Sequence, residues 1–125
     1  MTQNNFDLSF KYKTPDKLPE PKIKGHAGPP PGQGPFIAVY LSFDKEKIND
    51  STFQTYGCPA CINCSKTICE LAIGLTFEQA QQLDKNSLIK KIGQLPRAKR
   101  HCFDLAIRAL RDALGKIQSI YDHRK

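Results

Sequence analysis

Between Phe36 and Phe43 the chain alternates, with Ile37, Val39, Leu41 and Phe43 on one side. A period of two predicts a β-strand with one face buried. Asp44-Lys45-Glu46-Lys47 reads as a turn, and Ile48 to Tyr56, carrying Phe53 and Tyr56, as a second strand, so the two form an antiparallel hairpin. Two strands alone are marginal; a third strand from the N-terminal arm, or helices packed on one face, must complete the layer. From Ala60 the period becomes helical. A first helix is expected from about Ala60 to Ile73, with the apolar set Ile62, Ile68, Leu71, Ala72 and Ile73, and Gly74 as its stop signal. Thr76 with Gln79 spells a capping box for a short helix to about Leu83. Asn86 or Ser87 caps another short piece, Leu88 to Ile92, ended by Gly93. Leu95-Pro96 introduces the longest helix, from about Arg97 to Ile120. There Cys102, Leu105, Ala106, Ala109, Leu110, Ala113, Leu114 and Ile117 recur at three and four. Strands followed by helices predict an α+β fold, with helices on one face of a small antiparallel sheet and a long helix at the C-terminus.

Residues 1–35 break this regularity. Pro15, Pro19 and Pro21 precede Gly28-Pro29-Pro30-Pro31-Gly32-Gln33-Gly34-Pro35, a composition that excludes a regular helix and reads as an extended arm ending in a glycine-rich loop. The division expected is an arm and loop over 1–35 and one α+β domain over 36–125. A length of 125 residues suits one core. No apolar run approaches the ~20 residues that span a membrane, and the first residues show no secretory pattern. Five cysteines, an odd number, then point to a reducing compartment and to metal or redox use, with a cytoplasmic location expected.

Charge is segregated. Residues 1–89 hold nine basic and nine acidic side chains, whereas residues 90–125 hold ten basic against Asp104, Asp112 and Asp122, so the whole +7 lies at the C-terminal end. Spacing round a helix makes this a solvated exterior; the rival reading is a docking face for an acidic partner or a nucleic acid. No DNA or RNA recognition motif accompanies the charge, so a nucleic-acid partner is not expected.

The candidate chemistry is concentrated in Thr55 to Glu70, TYGCPACINCSKTICE, with cysteines at 58, 61, 64 and 69; the fifth is Cys102, preceded by His101. Cys58 falls at a strand-to-helix corner, where unpaired amides and the positive dipole end favour a thiolate. Cys61 and Cys64 are three apart on one helix face, and Cys58 lies three before Cys61. The spacing C-x2-C-x2-C with a remote cysteine is similar to that of small ferredoxins. Cys69 lies about 140° round the helix from Cys64 and reads as a buried small side chain. Three or four sulfur and nitrogen donors suit zinc as well as iron. Nucleophilic catalysis by Cys58 with His101 as base lacks a readable orienting group, so an enzyme is not the expectation.

TYGCPACINCSKTICELAIG followed by LTFEQAQQL, and LPRAKRHC followed by FDLAIRALRDAL, resemble the NifU/IscU-type iron–sulfur cluster assembly scaffold family over roughly residues 23–120. The resemblance implies a three-stranded antiparallel sheet with helices on one face. It implies a nascent cluster held by three cysteines and an aspartate, sulfur supplied by a cysteine desulfurase, and apo-proteins that accept the cluster. Position by position it carries the second family cysteine onto Cys58, the third onto Cys102, and the family histidine onto His101. The first belongs in a Cys-Gly-Asp motif before the long strand, where this chain reads Gly32-Gln33-Gly34. In the segment that the family uses for chaperone recognition, Leu95, Pro96 and Lys99 remain, while Arg97 and Ala98 replace a proline and a valine. The expected ligands are therefore Cys58 and Cys102, with Cys61 or Cys64 replacing the lost loop cysteine and His101 in reserve. The cargo is an iron–sulfur cluster or iron. The alternative is a zinc-binding or metal-free interaction protein that docks a partner through its basic C-terminal helix.

Overall fold

The computed structural model describes residues 14–30 and 32–124; the first thirteen residues of the expected arm lie outside that range. Three strands, β1 (Lys22–Ala27), β2 (Phe36–Asp44) and β3 (Lys47–Tyr56), form one antiparallel sheet in the order β1-β2-β3. The strand alternation expected for 36–43 and 48–56 is present, with Val39 opposite Phe53 and Ile37 opposite Thr55. β1 lies inside the stretch read as an arm and supplies the third strand that the hairpin required. Its sequence, KIKGHA, is too polar to announce a strand, yet Ile23, Gly25 and Ala27 pair with Leu41, Val39 and Ile37 on the inner face.

Four helices follow: α1 (Pro59–Ala72), α2 (Phe77–Gln81), α3 (Lys85–Ile92) and α4 (His101–Arg124). Gly74, at φ +91°, ends α1 as expected, and its amide donates to the Ile48 carbonyl at 2.8 Å. The Thr76–Gln79 capping box is present. The next cap differs from expectation. Asp84, not Asn86 or Ser87, is the N-cap of α3, because its carboxylate accepts from the Ser87 amide while Ser87 Oγ accepts from the Asp84 amide. The long helix also starts later than Arg97. Residues Arg97–Lys99 wind as a 3₁₀ turn, and α4 proper begins at His101.

The core lies between the sheet and α1 and α4. Every apolar position expected on α4 from Cys102 to Ile117 is buried, and Phe103 and Ile107 join them. α4 crosses β1 at Gly25, where an added Cβ would meet the Ala109 carbonyl and the Ala113 amide and lie 2.8 Å from Ala113 Cβ. Small residues on both sides let helix and strand approach this closely. Two hydrogen bonds flank the contact and satisfy the outer edge of β1: Asp112 Oδ2 accepts from the His26 amide at 2.9 Å, and Lys116 Nζ donates to the Lys24 carbonyl at 2.9 Å. α4 thereby covers part of the edge that β1 would otherwise offer to another strand.

α1 reverses one expectation. Its inward face is Cys61, Cys64, Ser65, Thr67, Ile68, Cys69 and Ala72, whereas Ile62 and Ile73 are 45% and 38% exposed. The series 61, 64, 65, 68, 72 is itself a helical stripe, small at every position but Ile68. Its small side chains let α1 pack against both β3 and α4, and Ser65 is tolerated because its Oγ donates to the Cys61 carbonyl at 2.7 Å.

Candidate metal centre

Cys58 ends the β3 corner and is the N-cap of α1, in extended conformation at φ −79° and ψ 170°, with Pro59 next to it. Proline at the first helical position has no amide to leave unpaired and is preset for the helix. Tyr56 and Gly57 before it are exposed. Gly57 leaves room at the corner: a Cβ there would press on Cys61 Sγ at 3.1 Å and touch Cβ of Pro35, in the glycine-rich loop, at 3.7 Å. Cys102 is the second residue of α4 and buried. The starts of α1 and α4 thus meet at one point, each bringing unpaired amides and a positive dipole end.

The sulfur atoms of Cys58, Cys61 and Cys102 all lie within 4.8 Å of one another there. Cys58 Sγ is 4.0 Å from Cys102 Sγ, and Cys61 Sγ is 2.8 Å from Cys102 Sγ. At a Zn–S length near 2.3 Å a tetrahedral site has sulfurs about 3.8 Å apart. The Cys58–Cys102 edge already has that length. The Cys61–Cys102 edge is about 1 Å short of it, so this pair opens when a metal enters. His101, exposed at the head of α4, has Nε2 3.8 Å from Cys102 Sγ. Cys64 and Cys69 are buried and stand outside the group. Of the five positions singled out from the sequence, three thiols converge, His101 stands at their edge, and Cys64 lies outside the 4.8 Å group.

The thiols differ in acidity for stated reasons. The Cys61 amide, followed by that of Ala60, draws the Cys58 thiol from 9.0 to about 7 against the opposing effect of burial. The Cys61 amide hydrogen-bonds the Cys58 carbonyl at 2.9 Å, so its action on the sulfur is the field of a helix N-terminus more than a direct bond. Burial pushes the Cys61 and Cys102 thiols up, and Cys64 and Cys69 up to about 12. In the metal-free protein the most acidic thiol, Cys58, therefore faces two thiols that burial keeps protonated. A metal would complete the ionisation by displacing their protons.

Arg97 and Arg100, exposed, and Lys99, partly so, stand immediately before α4, where its dipole disfavours cations. Among the described residues none of the three is in an ion pair.

Sequence reading left Cys61 and Cys64 as equals and named Gly57 only as part of the corner that ends the strand. The small-residue stripe containing Cys61, Ser65 and Ala72 was the signal for the inward face of α1. Nothing local told which of its cysteines α4 would meet.

The NifU-like N terminal domain model matches residues 17–123. The chain is 36% identical over 94 residues to the iron–sulfur cluster assembly scaffold protein IscU 1 of Archaeoglobus fulgidus, covering 70% of this chain and 61% of that protein. It is 33% identical over 84 residues to the nitrogen fixation protein NifU of Nostoc sp., covering 67% of this chain and 28% of that protein. The chain thus spans about three-fifths of the Archaeoglobus relative's length. A crystal structure from Fervidobacterium islandicum AW-1, described as a candidate scaffold for the SUF system, shares the fold with a TM-score of 0.56 at 24% identity, over 74% of this chain and 79% of that one.

Proposed function

The chain belongs to the family of NifU-like N-terminal domains, and from that premise we propose that it carries an iron–sulfur cluster, or iron on its way into one, on Cys58, Cys61 and Cys102. The observation that carries this reading is the convergence of three sulfur donors within 4.8 Å at two helix N-termini. Thiolates are the ligands such clusters take, and the helix ends stabilise the anionic assembly. Cys61 stands in for the family cysteine that Gly32-Gln33-Gly34 lacks. The fourth donor is His101 or a group supplied by a partner, since three thiols leave one position open. The relatives' names speak of assembly scaffolds; for this chain the corresponding partners are a cysteine desulfurase as sulfur source and apo-proteins as acceptors.

Anaerobic reconstitution of metal-free protein with iron and sulfide tests the reading. Wild-type protein is expected to take up both and to show sulfur-to-iron charge-transfer bands. Cys58→Ala, Cys61→Ala and Cys102→Ala are each expected to lose them. Uptake of iron and sulfide that survives all three substitutions would refute the assignment.

A zinc reading is supported by one observation, the Cys58–Cys102 separation of 4.0 Å, close to a tetrahedral edge. It predicts one zinc per chain in protein purified without chelator, and no sulfide uptake afterwards. Uptake of iron with stoichiometric sulfide after zinc removal decides for the cluster.

No helix among the described residues is long and apolar enough to cross a membrane.

A further inference from the structure

Cys58-Pro59-Ala60-Cys61 is a Cys-X-X-Cys pair set across a helix N-terminus. Cys58, the N-cap, is partly open to solvent, while Cys61, at the third helical position, is 1% exposed. Behind Cys61, at 2.8 Å, stands the Cys102 sulfur, also buried. Disulfide oxidoreductases divide the labour of a dithiol in this way: an accessible thiolate at a helix start attacks, and a second thiol of the same motif resolves. The family resemblance accounts for a cysteine at 58 but not for its companion at 61.

We propose that the metal-free chain carries out thiol–disulfide exchange, with Cys58 as the nucleophile and Cys61 as the resolving thiol, on a substrate that is itself a disulfide. The Cys58 thiolate attacks one sulfur of the substrate. The substrate S–S bond breaks, a Cys58–substrate bond forms, and the first substrate thiolate leaves and takes a proton from water. Cys61 Sγ then attacks Cys58 Sγ. The Cys58–Cys61 bond forms, and the second substrate thiolate leaves with the proton that Cys61 gives up. Two electrons have passed from the protein dithiol to the substrate, which ends as two thiols. Cys102, in hydrogen-bond contact with Cys61, holds that thiol in place until it attacks. A dithiol reductant returns the pair to its starting state.

Exchange and metal loading exclude each other, because the disulfide consumes two of the three grouped thiols. The proposal goes beyond the cluster reading and does not depend on it.

The test uses reduced, desalted protein in chelator, without iron, mixed anaerobically with oxidised glutathione and quenched in acid. Wild-type protein is expected to release about two equivalents of glutathione per chain, and peptide mapping by mass spectrometry should find the Cys58–Cys61 disulfide. Cys61→Ser combined with Cys102→Ser, since the Cys102 sulfur lies 4.0 Å from that of Cys58, should release about one equivalent and keep the other on Cys58; Cys58→Ser should react at least about tenfold more slowly. Cys64→Ser should behave as wild type. The wild-type map needs no variant to fold. A stable glutathione adduct left on wild-type Cys58, or a final disulfide that does not join Cys58 to Cys61, would overturn the proposal. Because no metal is present, that failure would leave the cluster reading standing, and a failed reconstitution would leave the exchange chemistry standing.

Discussion

Replacing Gly25 by alanine tests how the sheet and the long helix hold the site. The new Cβ would sit 2.8 Å from Ala113 Cβ and collide with the backbone at Ala109 and Ala113. Carbon atoms rest at about 3.5–4.0 Å, so α4 must move away from β1 by roughly 1 Å. It is not free to do so. The His26 amide to Asp112 and Lys116 to Lys24 carbonyl bonds, both 2.9 Å, tie strand to helix on either side of Gly25. Overpacking of this kind costs about 1–3 kcal/mol, and weakening a hydrogen bond to a charged group adds up to ~1.5–3 kcal/mol. Removing the conformational freedom of glycine returns about 0.5–1 kcal/mol. The net expectation is a loss of about 2 kcal/mol, or a fall of roughly 6–10 °C in Tm for a domain of this size. Since α4 also carries Cys102, the variant should hold metal more weakly even below its Tm. Thermal and urea unfolding of the metal-free protein, followed by metal titration of the folded variant, measure both effects. A Gly25→Ala protein within about 0.5 kcal/mol of wild type would show that the close crossing of β1 and α4 is not a constraint on this fold.

Other outcomes follow from the same geometry. Cys64→Ala and Cys69→Ala should each cost about 1 kcal/mol of stability and leave metal retention intact, as measured by unfolding and by metal content after desalting. Alkylation of Cys58 by iodoacetamide should rise with pH through a midpoint near 7, since its thiol is drawn down from 9.0 to about 7. That lowering contributes stability present in full above the unfolded value of 9.0 and lost as pH falls through about 7; a Cys58→Ala protein should lack this dependence in urea melts. Cys69 acts in the opposite sense, because burial raises its thiol to about 12: its contribution is intact below 9.0 and lost as pH rises toward 12. Asp84→Ala, which removes the N-cap of α3, should cost about 1 kcal/mol, and Asp84→Asn distinctly less.

The local elements of this chain were legible because each is written within a few residues. Ile37, Val39, Leu41 and Phe43 alternate and form β2; Thr76 and Gln79 close their box; Gly74 takes the left-handed conformation that ends α1. Cys58 at the strand-to-helix corner, and Cys102 with His101 at the head of the last helix, followed from position and family likeness. β1 was hidden because it is short, holds Lys22 and Lys24, and puts glycine where its partner helix crosses.

Periodicity says which residues share a face, and so the sequence by itself determined that Cys61 and Cys64 lie together on α1 and that Cys102 points inward from α4. It could not say which face of α1 turns inward. The stripe containing Ile62 and Ile73 also carries Lys66 and Glu70, which pair at 3.5 Å, so the two isoleucines alone did not decide it. The choice belongs to the packed assembly. α1 fits between β3 and α4 with Cys61, Cys64, Ser65 and Ala72, all small, around Ile68 on its inward face. The meeting of Cys61 with Cys102, 41 residues apart in the chain, is decided by where the N-terminus of α4 comes to rest. That position depends on Gly25, on the β1 edge bonds and on the register of the sheet, which are contacts between elements and are written in no one of them.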